Sequence, residues 1–222
     1  MNCIIFDMDG TILDTEKIYY KTWIETAKHF GFDFDLEMKL SINGLKEEDS
    51  TKKMAQIFKV EEQKVKEIRK YLNNLRHNIL VNTKRSLKKE GYDQLIEYLK
   101  ERNYKIALAS SSTRERIDLL VDKEKIRNDF DIILSADDIV NAKPDPEIFN
   151  IAIKKLGLNK NETYILEDSI NGLKAANKAK AISILIKDLD IREETIKEAR
   201  LVFDSLKDFR RYLEEQEREN YD

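Results

Sequence analysis

Short apolar runs alternate with amphipathic segments through most of this 222-residue chain. The apolar runs are continuous rather than alternating, which is typical of strands buried on both faces of a sheet. They occupy residues 3–6, 105–109, 132–134, 163–166, 182–186 and 201–203. Apolar spacings of three and four predict helices between them at 93–102, 113–122, 148–156 and 170–178. This alternation predicts a parallel sheet covered by helices on both faces.

The interval between the first and second apolar runs has a different pattern. Residues 16–86 contain no strand-like run. Apolar side chains recur there at helical spacings, most clearly at Val65, Ile68, Leu72, Leu75 and Ile79. We predict two domains, an α/β core of residues 1–15 and 87–222 and a helical domain of residues 16–86 inserted after the first strand. The predicted fold class is α/β, a Rossmann-like doubly wound parallel sheet with an inserted all-helical domain.

Charged residues are numerous but nearly balanced. The 40 Lys and Arg and 43 Asp and Glu residues give a formal net charge of −3 at pH 7. This balance argues against nucleic acid as a partner, because nucleic-acid-binding proteins usually present a strongly basic face. No apolar run approaches the ~20 residues of a membrane helix, and no signal peptide is expected. The single Cys3 excludes an internal disulfide. We expect a cytoplasmic monomer with no membrane partner.

Two aspartates, Asp7 and Asp9, follow the first apolar run and precede Gly10. In open α/β sheets, ligands bind outside the carboxyl ends of the strands, so this position suits a functional site. Neighbouring carboxylates repel one another unless a cation or a shared proton relieves the repulsion. The same residues would also fit an ordinary acidic loop after a strand, and the rest of the sequence decides between the two interpretations.

Four short motifs resemble, in order, those of the haloacid dehalogenase superfamily of phosphatases and phosphomutases. The first is the segment Asp7-x-Asp9-Gly10-Thr11-Ile12-x-Asp14. The second is Ser110 in the segment 107–112, the third is Lys143 in the segment 143–149, and the fourth is the pair Glu167 and Asp168. The helical insertion resembles the first type of cap domain in that family. The chain is most similar to the β-phosphoglucomutase-like and phosphoglycolate phosphatase-like subgroup.

The resemblance implies a phosphoryl transfer in which Asp7 attacks phosphorus and forms an aspartyl-phosphate. Asp9 would protonate the leaving alkoxide and later take a proton from water. Mg²⁺ is the implied cofactor, with oxygen ligands from Asp7, the Asp9 backbone carbonyl, Glu167 and Asp168. The implied activity is a Mg²⁺-dependent phosphatase acting on a small phosphorylated metabolite, with a sugar phosphate as one candidate.

Three more residues are implied to bind the phosphate group. Ser110 and Ser111, with the amides of their turn, would donate hydrogen bonds to it, and Lys143 would neutralise it together with Asp7. Taken singly, the serines could be helix caps and Lys143 a solvated loop lysine. We expect Ser112 to cap the helix predicted at 113–122.

Two positions differ from the mutases of this subgroup. The mutases carry a His in the first cap helix where this chain has Tyr19, and an Arg for a second phosphate where it has Glu47. A carboxylate in place of Arg weakens bisphosphate binding, which favours a phosphatase over a β-phosphoglucomutase-like sugar phosphomutase. A non-catalytic phosphate-binding or receiver-like module is a third alternative. Tyr19, Leu45 and Lys46 are the candidates for substrate specificity in the cap.

Other positions carry structural expectations only. Trp23 is expected in the core of the helical domain, and His29 and His77 on its surface, because neither histidine has partners at a metal-ligand spacing. Lys180 stands where the family usually has Gly after the helix at 170–178. A left-handed conformation at Lys180 would cost about 1 kcal/mol relative to Gly.

Overall fold

The structure, a computed structural model, describes residues 3–42, 47–157 and 159–219. The chain divides into two units: Met1–Asp14 with Leu87–Asp222, which we call the α/β unit, and Thr15–Ser86, which we call the helical unit. None of the helices in the described ranges combines the length and the apolar character needed to cross a membrane.

The helical unit is built from helices that pack around aromatic and aliphatic side chains. Its described residues form α1 (Glu16–Phe30), α2 (Leu36–Ile42), α3 (Glu47–Phe58) and α4 (Glu62–Asn82). Trp23 of α1 stacks on Phe34 with ring centroids 4.8 Å apart. Leu72 of α4 is 2% exposed and belongs to the same cluster. The core position predicted for Trp23 is therefore confirmed.

The α/β unit is built on a parallel sheet, which has six strands within the described residues. The strands are β1 (Cys3–Phe6), β2 (Lys105–Ala109), β3 (Ile132–Leu134), β4 (Thr163–Glu167), β5 (Ile182–Ile186) and β6 (Leu201–Phe203). Their order across the sheet is β3-β2-β1-β4-β5-β6. The chain starts in the middle and winds outward in both directions, which is a doubly wound topology. The predicted fold class is confirmed, and the predicted apolar runs are these strands, with β4 one residue longer than predicted.

Helices cover both faces of this sheet. They are α5 (Tyr92–Glu101), α6 (Arg114–Lys123), α7 (Glu147–Leu156), α8 (Ile170–Lys178), α9 (Glu193–Glu198) and α10 (Leu206–Glu219). On one face, Cys3 and Ile165 pack in a buried cluster with Phe149 of α7. Side chains alternate along a strand, so the neighbouring Tyr164 lies on the other face, where its ring contacts Phe209 of α10. Burial raises the pKa of the Cys3 thiol to about 12.

The start of α6 differs from the prediction. The helix begins at Arg114, and no side chain caps it from Thr113. The N–H of Arg114 instead donates to Oδ2 of Asp137 at 2.7 Å. The prediction of Ser112 as the cap is wrong, because a carboxylate from a distant part of the chain satisfies the first turn.

α8 ends on a left-handed residue that is not glycine. Lys180 has a φ of +63°. Its N–H donates to the carbonyl of Asn177 at 3.0 Å, and the N–H of Ala181 donates to that of Ala176 at 3.2 Å. These two hydrogen bonds form a Schellman motif, in which glycine is the usual left-handed residue.

The chain leaves and re-enters the α/β unit through two segments that are hydrogen-bonded to each other. The N–H of Asp14 donates to the carbonyl of Leu87 at 2.7 Å. The N–H of Lys89 donates to the carbonyl of Ile12 at 2.9 Å. The returning segment 87–89 therefore lies directly beside the segment that follows Asp7 and Asp9.

Candidate active site

Two acidic side chains meet where β1 and β4 end. Phe6 of β1 lies opposite Leu166 of β4, so the next residues, Asp7 and Glu167, are neighbours. The N–H of Asp7 donates to the carbonyl of Leu166 at 2.9 Å, which extends this pairing. Both side chains are buried, with Asp7 6% and Glu167 1% exposed. The strand order reverses between β1 and β4, and sheets of this kind bind ligands at that point.

Lys143 lies in the loop before α7, and its ammonium joins three adjacent strand ends. Its Nζ donates to Oδ1 of Asp7 and to Oε1 of Glu167, both at 2.6 Å. It also donates to the carbonyl of Ala109 at the end of β2, at 3.0 Å. Lys143 is 5% exposed, so these bonds are shielded from water. A charged hydrogen bond in such surroundings is stronger than one at the surface.

The pKa values of Asp7 and Lys143 are both raised, but burial and neighbouring charge contribute differently to the two. Burial raises the pKa of Asp7 to about 8; the Lys143 ammonium opposes this rise, and the Glu167 carboxylate adds to it. For Lys143, burial disfavours the charged form, but the carboxylates of Asp7 and Glu167 outweigh burial and raise its pKa. Lys143 is therefore a permanent cation, and a second cation beside Asp7 would favour its ionised form.

Three carboxylates at this edge form a group that fits a divalent cation. Asp7, Glu167 and Asp168 each offer an oxygen, and these oxygens lie within 4.8 Å of one another. All three side chains are buried. Carboxylate oxygens are the ligands that hard divalent cations prefer. A Cβ at Gly172 in α8 would overlap the Glu167 carboxylate, so glycine leaves the room that this group requires.

Ser169 orients the second oxygen of Glu167. The Ser169 Oγ donates to Oε2 of Glu167 at 3.0 Å. The same Oγ accepts from the N–H of Gly172 at 3.1 Å and so caps the start of α8. One hydroxyl therefore fixes the acidic group relative to the helix that follows it.

The serine segment after β2 faces Asp9. The Ser112 Oγ donates to Oδ2 of Asp9 at 2.7 Å, and Asp9 is partly buried. Ser110 is 1% exposed, and its Oγ accepts from the N–H of Ser112 at 3.1 Å. Ser111 is exposed. The metal ligand predicted at Asp9 is its backbone carbonyl. Its carboxylate is not a member of the three-carboxylate group.

The candidates for substrate specificity belong to the other unit. Tyr19 is buried within the helical unit, where the Arg76 guanidinium lies 4.9 Å from the centre of its ring. Leu45 and Lys46 lie outside the described residues. His29 and His77 are exposed, as predicted.

Sequence reasoning missed three contributors to this site. Ser169 carries a detectable signal, because a serine directly before a helical pattern predicts a cap. Gly172 is one of only six glycines in the chain, and a glycine inside a helix indicates a close approach. Ser112 carries no such signal, since its bond to Asp9 spans 103 residues.

Comparison with known proteins places this geometry in a family. Residues 4–186 match the model of the haloacid dehalogenase-like hydrolases. A phosphorylated carbohydrates phosphatase of Thermotoga maritima is 30% identical over 187 residues, which are 81% of this chain and 82% of that protein. A fructose-1-phosphate phosphatase of Escherichia coli is 27% identical over 184 residues, 79% of this chain and 91% of that protein. The crystal structure of a β-phosphoglucomutase from Clostridium difficile has a TM-score of 0.80 and 27% identity, and the match covers 100% of this chain and 99% of that one.

Proposed function

Because the chain belongs to the haloacid dehalogenase-like hydrolases, we propose that it is a Mg²⁺-dependent phosphatase that hydrolyses a small phosphorylated metabolite. The proposal includes an aspartyl-phosphate intermediate on Asp7. The observation that carries it is the buried contact of Asp7 with Lys143 and with two further carboxylates. We favour sugar phosphates as the substrate class, since two relatives are named as phosphatases of phosphorylated carbohydrates and of fructose 1-phosphate. We expect the enzyme to work in the cytoplasm as a monomer.

In the proposed first step, an oxygen of Asp7 attacks phosphorus while the bond to the leaving oxygen breaks. Lys143 holds Asp7 by a 2.6 Å hydrogen bond and places a positive charge where the phosphate negative charge must be offset. Ser110 and Ser111 are proposed to bind the phosphate with their turn. Fixing the nucleophile before the substrate arrives avoids an ordering cost during the reaction.

Asp9 is proposed to move the proton. It donates a proton to the leaving alkoxide in the first step and accepts one from water in the second, when water attacks the aspartyl-phosphate. The Ser112 hydroxyl holds its Oδ2 at 2.7 Å, which limits the rotation of the carboxylate.

Members of this family typically use a divalent metal ion, and the chain has a buried acidic group that fits one. We propose Mg²⁺, held by Asp7, Glu167, Asp168 and the backbone carbonyl of Asp9. When bound, Mg²⁺ would supply positive charge to a phosphate oxygen and keep the Asp7 carboxylate ionised.

The test is a screen of phosphorylated metabolites with Mg²⁺, with released phosphate as the measured quantity. We expect at least one sugar phosphate to be hydrolysed and Asp7→Asn to abolish turnover. Asparagine has the same shape as aspartate but cannot accept the phosphoryl group. A thermal unfolding curve that matches the wild-type curve would show that the variant retains the fold. Wild-type turnover in Asp7→Asn would disprove the nucleophile assignment.

A sugar phosphomutase is the second candidate, favoured by the similarity to the solved β-phosphoglucomutase. It predicts fast interconversion of sugar phosphates that depends on a bisphosphate activator. Tyr19 and Glu47, which stand in place of the His and Arg of the mutases, argue against it. Isomerisation without detectable phosphate release would establish the mutase.

A further inference from the structure

Lys89 binds the turn that follows Asp9 with its side chain. Its Nζ donates to the carbonyl of Gly10 at 2.6 Å and to the carbonyl of Lys187 at 3.2 Å. It also pairs with Oδ2 of Asp188 at 2.6 Å. One ammonium therefore connects the segment returning from the helical unit, the turn after β1 and the loop after β5.

This ion pair is almost completely removed from water. The side chain of Lys89 is 13% exposed and that of Asp188 is 0% exposed. The second oxygen of Asp188, Oδ1, is buried and has no hydrogen-bond partner among the residues that the structure describes. Burying two charges with one oxygen unsatisfied is costly, and packed apolar side chains of similar size are often at least as stable. Stability alone therefore does not explain the pair.

The carbonyl that Lys89 binds belongs to the residue directly after Asp9. Gly10 has a φ of +80°, a conformation that side chains rarely adopt. Its N–H donates to the carbonyl of Leu13 at 2.8 Å, which closes the turn on one side. Lys89 binds the next peptide plane, between Gly10 and Thr11, through the carbonyl of Gly10. The two planes meet at the α-carbon of Gly10, and the first of them contains the carbonyl of Asp9, so holding both restricts where the backbone and the carboxylate of Asp9 lie.

We propose that Lys89, held by Asp188, is a positioning residue that fixes the Asp9–Gly10 turn so that the Asp9 carboxyl can reach the leaving oxygen. This inference rests on the proposed function, in which the bond from phosphorus to the leaving oxygen breaks as the Asp9 proton passes to that oxygen. The role is indirect: Lys89 acts on the turn and transfers no proton itself.

The leaving group distinguishes this role from a merely structural one. An alkoxide needs the Asp9 proton to depart, whereas a nitrophenolate departs readily without it. We expect Lys89→Met to lower kcat/KM for an alkyl phosphate such as a hexose phosphate about 10- to 100-fold. This is the loss expected when a reacting group, here the Asp9 carboxyl, is misplaced by about 1 Å. The loss for p-nitrophenyl phosphate should stay below about threefold, since its departure depends little on the proton.

Lys88→Met is the matched control. Lys88 is the preceding residue and also makes a 2.6 Å ion pair, with Asp93, but its side chain is 25% and that of Asp93 67% exposed. We expect Lys88→Met to leave kcat/KM unchanged for both substrates. Lys89→Arg keeps the charge and should restore part of the alkyl phosphate activity.

The proposal would be overturned if Lys89→Met lost kcat/KM equally for the two substrates. It would also be overturned if Lys89→Met and Lys88→Met had the same kcat/KM values. If Lys89→Met does not fold, Asp188→Asn takes its place under the same criterion, because it removes the charge that holds Lys89. Hydrogen exchange of the amides of residues 8–14 gives a readout independent of turnover, and it should be faster in Lys89→Met than in Lys88→Met. Faster exchange in a protein without phosphatase activity would show that the proposed function fails while Lys89 still fixes the turn.

Discussion

The two units of this molecule differ in the sign of their charge and in the use they make of it. Residues 15–86 carry 15 Lys and Arg against 11 Asp and Glu, a net charge of +4. The α/β unit carries 25 against 32, a net charge of −7. Part of that acidic excess is buried as Asp7, Glu167 and Asp168, at the ends of strands that are otherwise apolar.

The candidate catalytic and metal-binding groups all belong to the α/β unit. Lys143 and the three-carboxylate group all come from the α/β unit, as do Asp9 and Ser112. The helical unit has an aromatic core instead, and its described residues add nothing to that group. Substitutions in the candidate site of the α/β unit should therefore change catalysis, and those in the buried core of the helical unit should change stability.

The largest expected effect is on turnover. Asp9→Ala should lower kcat by about 10²–10⁴-fold, the share usually contributed by a general acid and base. Because Asp9 is only partly buried, thermal unfolding should remain close to wild type. Steady-state kinetics with a hexose phosphate tests this, and a kcat within about threefold of wild type, far short of the expected loss, would remove Asp9 from the mechanism.

The opposite result is expected from the core of the helical unit. Leu72→Ala should lower the free energy of unfolding by about 2–5 kcal/mol, through lost burial and a residual cavity. Leu75→Ala, three residues along α4 and only partly buried, should cost less. Denaturant unfolding measures both, and equal losses would mean that α4 does not bury its Leu72 face.

Gly172→Ala tests the three-carboxylate group directly. The added Cβ would overlap the Glu167 carboxylate and displace it, so we expect Mg²⁺ affinity to fall about 10- to 100-fold, as when the support of a metal ligand is lost. Alanine stabilises a helix by about 1 kcal/mol relative to glycine, so a weaker helix cannot be the cause of a lower Mg²⁺ affinity. Titration calorimetry measures it, and unchanged affinity would show that Glu167 is not a ligand.

The smallest expected effect concerns the end of α8. Lys180→Gly should raise the free energy of unfolding by about 1 kcal/mol, because glycine adopts the left-handed conformation without strain. Lys180→Ala removes the same charge but keeps the Cβ, so it should bring no gain. Equal stabilisation by both substitutions would attribute the effect to charge.

The fold and the polar strand ends were predictable from sequence for one physical reason. Strands buried on both faces are continuous apolar runs, and Asp7 and Glu167 directly follow two of them, so the sequence places both at the carboxyl edge of the sheet. The bond from Ser112 to Asp9 and that from Asp137 to Arg114 could not be predicted, because both join residues that only the fold brings close. The same holds for Lys89, which the sequence shows only as one of two adjacent lysines.

The three hydrogen bonds of Lys143 limit how this site can receive a substrate. An ammonium has three N–H donors, and those of Lys143 are matched by Asp7, Glu167 and the Ala109 carbonyl. A phosphate oxygen can therefore gain a hydrogen bond from Lys143 only when one of these acceptors is released. Binding of an anionic substrate and loosening of the contacts around Asp7 are then a single exchange event, in which the incoming anion takes the place of an internal acceptor.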